Sequence, residues 1–238
     1  MSCAKQKIYS HGRNMFDQNT IELLLSSFPK ILEYGIRVTL PLAAIAFVLS
    51  TVLSVFVAMV QYANLPVLRQ ICRFYIWIIR GTPLLVQLMV AFYGLPLLGI
   101  HSNPFLMAII VFTINEGAYS AETMRAAMEA VPAGQLEAGY CVGMNYMQIM
   151  WHIILPQAFR TAFPSLFNAL ISMVKDTSLA SSITVVEMFT RTKQIAGQSY
   201  NYLPLYLEVA VVYLLFCTVL TYMQKKGELV LGSYGVRK

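Results

Sequence analysis

Charge is what this sequence has least of. Only 12% of its 238 residues are Asp, Glu, Lys or Arg, while 58% are hydrophobic; a soluble domain carries about 25% charged residues. That shortage excludes an ordinary soluble enzyme and implies an all-α polytopic membrane protein. Cysteine is sparse too. Cys3, Cys72, Cys141 and Cys217 lie far apart and form no C-x-x-C pair, so the usual zinc and dithiol motifs are missing. His11, His101 and His152 fall in three separate segments, and no metal site is expected. There is no G-x-x-x-x-G-K-[ST] run, so the chain is not expected to bind or hydrolyse ATP, and no catalytic residue is expected. Residues 1–20 lack the apolar core of a signal peptide, which leaves the first span to act as its own targeting signal.

What is present is apolar length. Residues 38–68 carry no charge, and neither do residues 81–115, which Ser102-Asn103-Pro104 splits into two candidate helices. Residues 161–186 and 204–223 supply two more, and about 20 mostly apolar residues suffice for each span. Five spans are therefore expected. The layout that follows is an N-terminal extension with a short helix on the membrane surface at 1–34, a transmembrane domain at 35–225 and a cytoplasmic tail at 226–238. Within the membrane domain, a polar connection runs from about 132 to 156.

The net charge of +6 then reflects the bias of Lys and Arg toward the cytoplasm, not nucleic-acid binding; the partner is the lipid bilayer. With the N-terminus outside and the C-terminus cytoplasmic, nine Lys and Arg lie inside and seven outside. If Met15 rather than Met1 is the true start, the contrast becomes nine to four.

The polar connection is the most specific segment. It reads "EAGYCVGMNYMQIMWHIILP" over residues 137–156, and it resembles the EAA loop of permease subunits in binding-protein-dependent ABC importers. Glu137, Ala138, Gly143, Ile153, Leu155 and Pro156 stand where that pattern places them; Gly139 stands where a second Ala is usual. The residues agree with such a role: a coupling element needs a rigid exposed helix, and Gly143 can supply the left-handed turn that ends it. At Gly139, glycine should cost about 1 kcal/mol of helix stability relative to alanine. "NEGAYSAETMRAAMEAVPAGQLEAG", "RGTPLLVQL" and "KDTSL" narrow the resemblance to permeases for polar amino acids. The resemblance implies a type I importer permease fold. The partners it implies are a second permease copy or paralogue, an ATP-binding ABC subunit dimer and an extracytoplasmic amino-acid-binding protein. ATP would be bound by the partner, so this chain needs no cofactor. The cystine, histidine, glutamine and arginine branches all stay open.

Intramembrane charges are costly, about 2.5–3.5 kcal/mol each on insertion scales, and so mark sites. Lys175 and Asp176 are adjacent and point about 100° apart on a helix, so they cannot neutralise each other. Glu116 has no cation at i±3 or i±4 and needs a partner from elsewhere. One reading pairs Lys175 with Glu116 between helices. The other breaks the helix near Lys175–Ser178, freeing backbone amides. Lys175, Thr177 and Ser178 would then hold a substrate α-carboxylate, and Asp176 or Glu116 its α-ammonium. Asn115, Tyr119 and Glu122 make one polar stripe. Glu122, Arg125 and Glu129 are spaced to pair along their helix. Thr82 reads as an N-cap with Pro83 at the first helical position, and Gln87 lies one turn on. Gln87, Thr82, Tyr119 and Glu122 complete the candidate substrate site. Ser181 and Ser182 continue its hydroxyl-rich face. Beside an ATP-driven importer, an ion-gradient-driven secondary transporter and a non-transporting scaffold remain as alternatives.

Overall fold

Most of the charge-free run, residues 38–62, lies in a membrane-length helix, but that helix starts much earlier. In a computed structural model, residues 18–63 and 65–232 are described. The choice between Met1 and Met15, and the tail from 233 on, lie outside the described residues. Helix α1 spans Gln18–Tyr62, 45 residues without interruption. The separate surface helix expected at 20–35 is therefore corrected: it joins the first span through a π-helical turn at Gly35–Thr39. The physical reason is packing. Ile31 is fully buried in a cluster with Met188, Val209 and Val212, so this segment has a protein surface to cover.

Helix α2 (Pro66–Arg80) and helix α3 (Leu84–Gly94, with a 3-10 turn at Leu95–Leu98) meet at 101°. At 1.5 Å per residue, α3 and its turn reach about 22 Å, short of the roughly 30 Å hydrocarbon core. By length and composition, α2 and α3 together can make the second crossing. Helix α2 buries one face. Its Cys72, Tyr75, Ile76 and Ile79 pack with Leu53 and Val57 of α1 and with Ala118 and Ala121 further along the chain.

Helix α4 (Pro104–Glu129) starts as the sequence implies. The Asn103 side chain accepts from the Phe105 amide at 2.9 Å, and Pro104 sits at the first helical position. Its pairing with α1 is the most extensive in the molecule. Small buried residues, Ala43, Ala46, Ser50, Ser54 and Ala58 on α1 and Ala108, Gly117, Ala118 and Ala121 on α4, permit that close approach. Ser50 and Ser54 satisfy their hydroxyls on the Phe47 and Thr51 carbonyls of their own helix.

After the short helix α5 (Ala133–Cys141) comes α6 (Tyr146–Ile183). Here the polar connection and the fourth span, expected as separate pieces, run as one helix through a π turn at Met150–Ile154. Helix α7 (Met188–Ser199) follows at 55° to α6. Helix α8 (Tyr202–Gly232) continues through Lys225 and Lys226, so the first residues of the expected tail are still helical.

Three helices are long and apolar enough to cross a membrane, and each bent pair can add one crossing. The described residues thus hold three to five candidate spans, five if each bent pair is one crossing, the number expected. Ala58 near the end of α1 clusters with Met124, Val131 and Ile149, whereas Ile31 near its start clusters with Val209 of α8. The described chain thus starts at one end of the bundle, and α5 lies at the other.

Candidate functional site: a polar interior and a coupling end

The three sequence motifs converge. Helix α3 packs against α4 and also against the 3-10 stretch Thr177–Ile183 at the end of α6. At the α2–α3 turn, Gln87 Nε2 donates to the Ile79 carbonyl at 2.8 Å and to Thr82 Oγ1 at 2.8 Å. Its Oε1 accepts from Asn115 Nδ2 at 3.0 Å. Arg80 lies over the Tyr119 ring, 5.3 Å from its centroid. So the polar stripe of α4 faces the Arg80–Gln87 turn. Asn115, absent from the candidate list, is the link, and its place on that stripe was the available signal. Thr82 is not an N-cap. Its hydroxyl donates back to the Ile78 carbonyl at 3.0 Å, and Pro83 takes the cap position.

Glu122 goes to a different partner. Arg125 Nη2 donates to it at 3.1 Å, while Nη1 donates to both oxygens of Glu129 at 2.7 and 2.8 Å. This is the pairing the spacing allowed, and it occupies the Glu122 carboxylate. Glu116 bonds to Ser120, one turn on, at 2.6 Å. Among the described residues it has no ion pair, so the Lys175–Glu116 bridge of the first reading is not formed. Asp176 likewise makes no ion pair among the described residues. Lys175 is exposed and makes no ion pair among the described residues.

The expected break also takes another form. At Asp176 the α-helix tightens to 3-10 geometry and runs on to Ile183, ending where Thr184 turns left-handed at φ 65°. The Thr177 amide is bonded to Met173 O, so amides are not set free at this point. Thr177 is fully buried and donates to the Val174 carbonyl at 2.7 Å. Its hydroxyl is committed to the fold. Ser178 remains half-buried. Ser182 returns to the Leu179 carbonyl, and Ser181 accepts from Lys193 Nζ at 3.1 Å.

One buried carboxylate escaped notice in the sequence. Glu187 is fully buried and caps α7, accepting from the Phe189 and Thr190 amides at 2.7 and 2.6 Å and from Tyr213 at 3.3 Å. Glutamate is an uncommon cap residue, so no local signal flagged it.

At the coupling end, α5 stops as expected. Gly143 has φ +79°, its amide bonds to Tyr140 O, and the Met144 amide bonds to Gly139 O. These two bonds make a Schellman motif. The next helix opens on a capping box between Asn145 and Gln148. Gly139 has a packing reason. A methyl there would lie 2.7 Å from Ile149 Cγ1, so the position where alanine is usual is filled by Ile149. Glu137, Ala138 and Pro156 are exposed. Leu155 is 2% exposed within the core and anchors the coupling segment to the bundle.

This geometry, a crossing bundle with a short helix held out at one end, is matched by known proteins. The model of the family described as "Binding-protein-dependent transport system inner membrane component" matches residues 50–226. The chain belongs to that family. It is 40% identical over 214 residues to the L-cystine transport system permease protein TcyB of Bacillus subtilis (strain 168), covering 90% of this chain and 92% of that one. It is 39% identical over 219 residues to PatM of Vibrio harveyi, a probable amino-acid ABC transporter permease protein, covering 90% and 97%. A crystal structure of an amino acid ABC transporter with histidines matches with a TM-score of 0.77 at 29% identity, over 86% of this chain and 95% of that one. The permease thus has the type I importer fold. It is a multi-pass inner-membrane transport subunit, not an enzyme. Family membership favours ATP-driven import over an ion-gradient-driven transporter.

Proposed function

We infer that this permease forms the translocation route of an ATP-driven amino-acid importer and contributes Lys175, Ser178, Asp176 and Glu116 to the substrate site. The observation that carries this is that Lys175 and Asp176 on α6 and Glu116 on α4 make no ion pair among the described residues, while α4 packs against the 3-10 stretch that follows Asp176. A zwitterion needs that arrangement: Lys175 and Ser178 meet the α-carboxylate, and Glu116 and Asp176 meet the α-ammonium. The Gln87–Asn115 pair holds α3, and the Arg80–Tyr119 contact the end of α2, against α4 beside the site. Glu122 and Thr177 serve the fold.

An exposed Lys175 at membrane depth would cost about 2.5–3.5 kcal/mol facing lipid. That cost supports a second permease copy or paralogue covering it. Exposed Glu137 and Ala138 on the rigid α5 support docking of a partner ATPase there. ATP is bound by that partner, α5 faces the cytoplasm, and the N-terminal end faces outward, where a separate binding protein delivers the amino acid. Closure of the ATPases moves α5, and the site alternates between outside and inside access.

The test is ATP hydrolysis by the reconstituted complex across free amino acids. One or a few should stimulate it, while their methyl esters and des-amino analogues should not. Equal stimulation by ester and parent would remove Lys175 from carboxylate recognition.

A further inference from the structure

At the end of the bundle opposite α5, the first half of α1 and helix α7 enclose two adjoining cavities of about 430 and about 230 Å³, which share Lys30 and Arg191 in their walls. Arg37 adds a third cation to the larger one. The single carboxylate lining it, Glu33, is already held by Arg37 at 2.9 Å. Behind the smaller cavity, Glu208 is bonded to Ser27 at 2.6 Å. Positive charge therefore dominates the groove.

Arg191 is positioned but not satisfied. Its guanidinium lies over the Tyr34 ring at 5.6 Å from the centroid, and Nη1 donates to Gln194 at 3.0 Å. Its Nε is buried without a hydrogen-bond partner, and a buried donor of this kind is costly unless a ligand or water meets it. The groove also has a defined depth. Residue 37 is the last charge before the uncharged run, and Lys30 lies about 10 Å further along the helix axis. An interval of that length is enough to span a headgroup layer, roughly 5–8 Å thick outside the hydrocarbon core. Val38 forms its inner wall, and Ile36 beside it is 53% exposed, giving acyl chains an apolar surface below the charges.

We propose that this groove binds the phosphate headgroup of an anionic phospholipid, with Lys30 and Arg191 as its principal ligands. The lipid is favoured over an acidic protein surface by depth: the cations flank the layer where lipid phosphates lie. The site would tie the N-terminal half of α1 to α7 and so brace the end of the bundle that α5 does not reach. That it lies in the outer leaflet rests on the function proposed above; the site itself does not.

The test is native mass spectrometry of the full permease released from vesicles of phosphatidylcholine containing a minor fraction of phosphatidylglycerol. Wild type should retain phosphatidylglycerol selectively. Lys30→Gln/Arg191→Gln should retain roughly thirtyfold less, as expected for two cations at an anionic surface. Lys30→Gln alone, at an exposed position that leaves the Arg191–Tyr34 contact in place, should show a smaller loss in the same direction and serves if the double variant does not assemble. Unchanged retention in these variants overturns the proposal. So does displacement of the lipid by inorganic phosphate beyond that by chloride at matched ionic strength, which would make the groove a site for a soluble anion.

Discussion

At the coupling end of the bundle, polar groups and glycines meet their partners within a turn or two of chain. Around Lys175 they meet them across three helices, or not at all. Gly143, Asn145 and Gln148 are satisfied by a Schellman motif and a capping box, and Arg125 is satisfied by Glu122 and Glu129 on its own helix. Gln87, by contrast, reaches Asn115 from another helix, and Lys175 has no counter-ion within the chain among the described residues. The difference teaches where to look for partners outside the subunit. A region whose polar groups are complete exposes only what it presents to another protein; a region left incomplete at membrane depth awaits a ligand or a second subunit.

The largest expected effect tests the first half of that contrast. Glu137 is exposed on α5 and makes no ion pair among the described residues, so its counterpart should belong to the ATPase. Charge reversal, Glu137→Lys, should weaken ATPase association by more than about tenfold, because like-charge contacts at an interface cost several kcal/mol. Co-purification and transport would both report it, with the bundle still folded. Unchanged association would break the assignment of α5 as the coupling helix.

A smaller effect distinguishes packing from propensity. Helix propensity alone expects Gly139→Ala to stabilise by about 1 kcal/mol. The 2.7 Å approach to Ile149 Cγ1 reverses the sign, to a destabilisation of about 1–3 kcal/mol from overpacking. Adding Ile149→Ala should bring the cost of the methyl back toward zero in a double-mutant cycle of thermal unfolding.

The smallest concerns Thr177. Its hydroxyl is committed to Val174 O at 2.7 Å, so Thr177→Val should cost about 0.5–1.5 kcal/mol of stability and leave amino-acid selectivity unchanged. A change in selectivity would return Thr177 to the substrate site and blur the contrast between the two regions.

How much was legible in the sequence follows the same division. The end of α5 at Gly143, the start of α4 at Asn103-Pro104 and the Glu122–Arg125–Glu129 ladder depend on residues two to five apart, and their chemistry could be read directly. The join of residues 20–35 to the first span could not, because the burial of Ile31 depends on Met188 and Val209, far along the chain. Gly139 looked like a weakened helix position because Ile149, its reason, belongs to the next helix. Around Lys175, the sequence identified the residues but not the pairings. It carried no distance between Glu116 and Lys175 and no sign that α6 would tighten to 3-10 geometry instead of opening. Glu187 went unnoticed because its burial is a tertiary fact and its cap residue type is uncommon.

The central claim is that the charges on α6 recognise substrate rather than hold the bundle together. Uptake by the reconstituted complex carrying Lys175→Ala/Asp176→Ala, normalised to assembled permease, tests it most directly. The account predicts loss of most amino-acid uptake with assembly and thermal stability close to wild type. Wild-type uptake by an assembled double variant would contradict it.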